Sequence, residues 1–408
     1  MKQIYLDNSA TTALDPRVLK AMLPYLTDKF ANASSIHRAG TEAMKALGVA
    51  RQIVADFLTC LPEEVYFTSG ATESDNLAIL GVVRAMSNKN SGFKKPHLIT
   101  STIEHEAILE PIKHLVKAGL AEVSYLEVDA SGIVKPSDLA GLIKDNTVLV
   151  SVMLANNEIG TIQPIAELGK IISDLNKNRK QAASAKATAS QEIYFHTDAT
   201  QAPAYVSCDV KKLGVDLLSF SGHKIYGPKG VGVLYLKKGT PLTPLFFGGG
   251  QQDKIRSGTY NVSGIVGLGK AIELISDQKA RELENKKVKS WRDYLIKNLT
   301  KKIPRVRVNG DLDKRLPSNA NFILEGVEGE SVLLMLSERG IMVSTGSACS
   351  SGSLDPSHVL LAIGVPPELA HGSLRVTLGR FNKKSDLDAL IDALPPIMKK
   401  LRAMSPLK

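Results

Sequence analysis

Leu217-Leu218-Ser219-Phe220-Ser221-Gly222-His223-Lys224, followed by Gly227-Pro228-Lys229-Gly230, is the stretch on which the reading of this chain turns. An apolar run of strand length breaks into glycines, small polar groups and a lysine. Open α/β sheets place their ligands just beyond the carboxyl ends of such strands. A lysine past a strand end is ordinarily a solvated surface charge. This one lies between glycines and polar groups with His223 beside it, which suits an aldehyde cofactor better than it suits solubility. A Schiff-base lysine needs a lowered pKa, which burial and neighbouring cations supply. The segment does not match the phosphate-loop pattern G-x-x-x-x-G-K-[ST].

The same alternation runs through the first part of the chain. Strand candidates are 64–68, 97–100, 123–126, 148–153, 193–196 and 217–220, with helix candidates at 74–86, 106–117 and 165–176 between them. That order predicts a parallel sheet covered by helices. From Ile265 to Leu299 a charged, periodic stretch reads as one long helix joining two units. Beyond it come a strand at 321–324, a helix at 331–339 and a final helix at 385–404. The expected organisation is a large α/β domain over residues 15–264 and a smaller α+β domain over 265–408, completed by segment 1–14. Asn178 to Glu192, poor in large apolar residues, reads as a solvated loop or loose helical extension.

With 408 residues, 43% hydrophobic and 23% charged, the chain has the composition of an ordinary globular protein of two or three structural units. No run reaches the ~18 apolar residues of a membrane span. The N-terminus shows no basic-then-apolar leader pattern. Cys60, Cys208 and Cys349 lie far apart and form no C-x-x-C pair, which argues against a disulfide framework or zinc ribbon and fits a reducing compartment. A cytoplasmic protein without a metal centre is the expectation. The net charge of +10 is spread along the chain and aromatics make up 5%, so it reads as solubility plus a surface for an acidic partner. Nucleic-acid binding is a minor alternative.

Other polar clusters follow strand ends. Asp198, in His196-Thr197-Asp198-Ala199-Thr200-Gln201, either caps a helix or faces a pyridine nitrogen, where a carboxylate keeps the ring protonated as an electron sink. Gln201 could donate to a phenolic oxygen on that ring. Ser69-Gly70-Ala71-Thr72-Glu73-Ser74-Asp75 joins a strand to a helix and offers backbone N–H groups to a phosphate. Its Thr72-x-x-Asp75 spacing also fits a capping pattern. His105 is structural, or it stacks on a planar cofactor and shuttles protons. Cys349 stands apart from the other cysteines. Ser344-Thr345-Gly346-Ser347-Ala348-Cys349-Ser350-Ser351-Gly352-Ser353 surrounds it with small polar residues that would not bury a thiol, and the glycines and serines predict flexibility.

In this order and spacing, YLDNSATT (5–12), TSGATES (68–74), EHEA (104–107), NNEIG (156–160), DATQ (198–201), SGHK (221–224), RSGT (256–259), STGSACSSG (344–352) and SLRVTLGR (373–380) resemble the cysteine desulfurases of the NifS/IscS type. The resemblance covers nearly the whole chain. It implies a fold-type I, aspartate-aminotransferase-like structure, with a large, mostly parallel seven-stranded sheet and a smaller α+β domain. Pyridoxal 5'-phosphate is the implied cofactor. Lys224 would hold it covalently, Asp198 would pair with the pyridine nitrogen and His105 would stack on the ring. Gln201 and Asn157 would address the phenolic oxygen and the substrate side. Ala71, Thr72, Ser221 and His223 would hold the phosphate, joined by Thr259 from a second subunit of a homodimer. Arg375 would grip the carboxylate of L-cysteine, a task suited to a guanidinium fork.

Catalysis would fall to Lys224, His105 and Cys349, with Cys349 taking the sulfur as a persulfide and a sulfur-acceptor protein receiving it. Members that feed iron–sulfur scaffolds carry a longer C-terminal docking tail than Ser405-Pro406-Leu407-Lys408, so scaffold docking is an open expectation. The Cys349 surroundings resemble the long-loop group of the family. The rivals are a selenocysteine lyase or aminotransferase of the same superfamily, and a sulfur-relay scaffold without catalysis.

Overall fold

The structure is a computed structural model that describes residues 3–89, 95–185, 192–346 and 355–404. A short strand, β1 (Ile4–Tyr5), precedes the seven strands of one sheet: β2 (Val65–Thr68), β3 (His97–Ser101), β4 (Glu122–Leu126), β5 (Thr147–Ser151), β6 (Tyr194–Asp198), β7 (Leu217–Ser221) and β8 (Gly232–Leu236). Their order across the sheet is β2-β8-β7-β6-β5-β3-β4, and only β8 runs against its neighbours. The five residues of β3, β5, β7 and β8 are all buried, as expected of strands covered on both faces. β8 was not among the strands expected from sequence. Its Gly232 packs so closely on the backbone of Gly70 that no Cβ would fit, which brings the turn after β2 against the sheet.

Four further strands follow: β9 (Val306–Val308), β10 (Asn319–Leu324), β11 (Ile341–Met342) and β12 (Ser373–Thr377). The order β12-β10-β9 makes an antiparallel sheet, while β1 pairs in parallel with β11. Leu6 belongs to the core beneath this second sheet, together with Phe322, Val376 and Leu390.

The long helix expected over 265–299 is two helices, Val262–Ser276 and Gln278–Lys302. Asp277 between them is extended (φ −66°, ψ 101°), and its carboxylate accepts from Ala280 N at 3.1 Å as an N-cap. The break separates two packing environments. Ile265, Leu268, Ile272 and Ile275 sit in the core that includes Val54 and Leu58, whereas Val288, Leu295 and Leu299 sit in the second core. The Ala-rich stretch prolongs a helix, Ile165–Ala185, well beyond the expected end at 176. Among the described residues, no helix is long and apolar enough to cross a membrane.

Candidate active site

The carboxyl ends of β6 and β7 open into a cavity of about 560 Å³. Ala71, Thr72, His105, Asn157, Asp198, Gln201, Ser221, His223, Lys224 and Arg375 all line it. Residues from five sheet connections and from β12 therefore converge on one space. Thr259 is exposed on the surface, away from this cavity. Cys349 lies outside the described residues.

Lys224 ends a short 3-10 turn, Gly222–Lys224, that follows β7 directly. Its Nζ donates to the backbone carbonyls of Ser9 and Ala10, the latter at 2.9 Å. The N-terminal segment is thus part of the wall. Thr12 N donates to the His223 carbonyl at 2.9 Å, Thr11 Oγ1 lies 3.1 Å from His223 Nδ1, and Gln201 Nε2 donates to Ser9 O at 3.1 Å. Burial and the charges of Lys224 and Lys229 push His223 down to about 4, so its imidazole is neutral at pH 7. It serves as a hydrogen-bonding wall and not as a second cation beside the lysine.

Asp198 ends β6 and is held by Thr200 N, which donates to its Oδ1 at 2.8 Å. His105 is the N-cap of the helix Glu106–Lys117, and its Nδ1 accepts from Ala107 N at 3.0 Å. A nitrogen that accepts carries no hydrogen, so the neutral ring has its proton on Nε2. The capping bond thereby fixes both the tautomer and the ring.

One end of the cavity is the start of the helix Ala71–Lys89, where backbone N–H groups and the helix dipole favour an anion. Glu73 in that first turn would repel one. Its carboxylate is instead occupied by Arg256 Nε (2.7 Å) and Nη2 (3.2 Å) and by Ser69 N (2.8 Å). The cap expected from Asp75 is not made. That side chain is fully buried without a hydrogen-bond partner among the described residues, and Glu73 reaches back in its place.

Arg375, on β12, is 3% exposed. Its Nη2 pairs with Asp7 Oδ1 at 2.9 Å and its Nη1 donates to Asn157 O at 3.1 Å, while Nε has no partner among the described residues. Thr200 Oγ1, also on a lining residue, is likewise buried without one. An orphaned guanidinium nitrogen and hydroxyl on one cavity wall fit a ligand that brings acceptors. Lys224, Asp198, the helix N-terminus and Arg375 together fit a phosphorylated pyridine aldehyde with an amino acid beside it. Sequence reasoning missed Asp7, Asp75 and the Ser9–Ala10 carbonyls. They reach the site through tertiary contacts with no local signature beyond their place in quoted motifs.

Residues 4–390 match the family model for class-V aminotransferases. A cysteine desulfurase IscS of Methanosarcina thermophila is 50% identical over all of this chain and 94% of its own length. That of Dictyoglomus turgidum is 49% identical over all of this chain and 97% of its own. Among solved structures, a NifS-like protein superposes with a TM-score of 0.84 at 35% identity, covering 99% of each chain. A structure of SspA in complex with cysteine does so at 0.75 and 35%, covering 94% of this chain and all of the other. The chain belongs to the class-V aminotransferase family, whose chemistry depends on pyridoxal 5'-phosphate, and within it to the cysteine desulfurases of the IscS type.

Proposed function

We propose that this enzyme converts L-cysteine to L-alanine and retains the sulfur as a persulfide on Cys349. An acceptor protein serving iron–sulfur cluster assembly, thio-cofactor synthesis or tRNA thiolation then receives it. The observation that carries this reading is the convergence of Lys224, Asp198 and Arg375 on a cavity beside which both ends of the Cys349 segment are rooted. On one side, Ser344 and Arg375 exchange backbone hydrogen bonds of 3.1 and 2.7 Å, and Gly346 N donates to Ser373 Oγ at 3.4 Å. On the other, Ser357 Oγ donates to Glu158 Oε2 at 2.6 Å, and the same carboxylate leaves no room for a Cβ on Gly346. The other two thiols are poor candidates. Burial pushes Cys60 and Cys208 up to about 12, which keeps both as thiols at neutral pH.

In this reading Arg375 takes the substrate carboxylate on its Nε, and Asn157 borders the amino acid. Lys224 Nζ anchors the cofactor and, once the substrate amine has replaced it, takes the α-proton. When bound, pyridoxal phosphate supplies an electron sink for the carbanion this creates. Cys349, as thiolate, attacks the substrate sulfur. The new S–S bond forms as the Cβ–S bond breaks and its electron pair stays on Cβ; a proton delivered to Cβ and the return of the Lys224 proton to Cα complete alanine. His105, with its hydrogen held on Nε2, is placed to donate a proton. Accepting one from the substrate thiol would first require release of the Ala107 cap. Residues 15–264 would carry the cofactor, and 265–408 with 1–14 would supply Arg375 and the sulfur-bearing segment. The exposed Thr259 would complete the phosphate site of a second subunit in a cytoplasmic homodimer.

Incubation with L-cysteine and a thiol reductant, without any keto acid, is expected to release alanine and sulfide in equal amounts. Cys349→Ser should keep the cofactor yet lose the protein persulfide and the sulfide. A requirement for a keto acid, or undiminished sulfur transfer by Cys349→Ser, would overturn the reading.

A further inference from the structure

Asp75 lies just past the first turn of the helix Ala71–Lys89, is fully buried and lines the cavity. Neither of its carboxyl oxygens makes a well-formed hydrogen bond among the described residues, and the hydroxyl that acts on it, that of Ser219, is engaged with His196 Nε2. The nearest basic group is His196, whose Nε2 lies 3.6 Å from Asp75 Oδ1. That imidazole brings no charge. It is fully buried, its Nδ1 meets Ser151 Oγ at 2.8 Å and its Nε2 meets Ser219 Oγ at 3.0 Å, and burial pushes it down to about 3.

The other groups acting on Asp75 are Asp198, Glu104 and the Ser219 hydroxyl, and only the hydroxyl favours its ionised form. Glu104 is itself buried and raised to about 8. The Asp198 charge thus acts on two further buried carboxyl groups, and repulsion at low dielectric disfavours additional negative charge beside it. Strand periodicity says where Asp75 stands. His196 and Asp198 alternate onto the same face of β6, and Ser219 of β7 is the register partner of Asp198. The side chain that touches His196 therefore lies over the face that carries Asp198.

We propose that Asp75 is a positioning residue for the cofactor. As a neutral acid behind Asp198 it donates its O–H to the Asp198 carboxylate, orienting that carboxylate and leaving a single negative charge toward the pyridine ring. The arrangement rests on Asp198 facing the pyridine nitrogen, as in the function proposed above. Nothing moves in the sheet to achieve it; the proton on Asp75 does the orienting.

The test compares wild-type, D75N and D75A proteins by the pH titration of the bound cofactor's absorbance, by cofactor affinity of the apoprotein and by infrared spectroscopy. The amide of D75N donates as the neutral acid does. D75N should therefore keep the wild-type titration midpoint and hold the cofactor within about threefold of wild type. D75A leaves the Asp198 carboxylate without its donor and should weaken cofactor affinity about tenfold or more. At pH 7 the wild type should show the carbonyl band of a protonated carboxyl group that D75N lacks. A D75N midpoint displaced as far as that of D75A, absence of the band, or unchanged affinity in both variants would each overturn the proposal. If D75A does not fold, D75N and the infrared band still decide. A D198N holoenzyme with a wild-type titration overturns the placement of Asp198 instead, which separates the two failures.

Discussion

At the scale of single residues, the site is built from side chains whose free valences are nearly all spoken for. Arg375 shows how narrow the remaining choice is. Asp7 holds Nη2, the Asn157 carbonyl holds Nη1, and among the described residues Nε alone is left open, so two anchors fix the guanidinium plane. A lysine could neither keep both anchors nor offer a second planar donor. Arg375→Lys is expected to raise KM for L-cysteine about tenfold or more while lowering kcat much less, because the lost contact grips substrate and transition state alike. Steady-state kinetics on alanine formation check this, and a pure kcat defect would contradict it. Much of this constellation was legible in the sequence, since Lys224, Asp198 and His105 stand in compact motifs at or just after strand ends and Arg375 stands in one on β12. Asp7 was not. Its partner is 368 residues away along the chain, and no local pattern announces such an ion pair.

At the scale of elements, the strands and helices that position the cavity follow hydrophobic alternation closely. The helix Glu106–Lys117 begins and ends where its periodicity and His105 cap place it. Departures occur where a local signal is weak or shared. The stretch 262–302 keeps one continuous helical period, and a single residue, Asp277, interrupts it. Asp within a helical pattern is ambiguous, because the same carboxylate can sit on an exposed face or cap a new helix. Here it caps, and the interruption lets one helix join the core of the large domain while the next joins the core beneath the small sheet. Asp277→Ala removes the acceptor for Ala280 N and should lower stability by about 0.5–2 kcal/mol. Urea denaturation of the holoenzyme measures it. An unchanged midpoint would mean that packing of the two helices, and not the cap, sets the break.

At the scale of the whole molecule, the cavity lies where two sheets meet, and the buried titratable groups around it make folding depend on pH in two opposed ways. His196, fully buried, is depressed to about 3, well below the ordinary histidine value of 6.5. Between those values the unfolded chain binds a proton that the folded chain refuses, so stability is lost as pH falls through that window. Glu104 acts the other way. Raised to about 8 from 4.5, it keeps a proton in the folded state that the unfolded state gives up, so its contribution declines as pH rises through that range. On the acid side His196 acts together with carboxylates held low by their partners, such as Asp15 beside Arg17 and Arg380. For His196 alone the loss between pH 7 and pH 4 is on the order of 3 kcal/mol. His196→Gln is expected to be less stable than wild type at pH 7, having lost its fit between Ser151 and Ser219. Its deficit should then shrink steadily as pH falls toward 4, because glutamine has no proton to refuse. Urea midpoints for both proteins across pH 7 to 4, at saturating cofactor, give the two slopes. Parallel slopes would mean that His196 becomes protonated within the folded protein, and the assignment of Asp75 as a neutral acid beside an uncharged imidazole would fail with it.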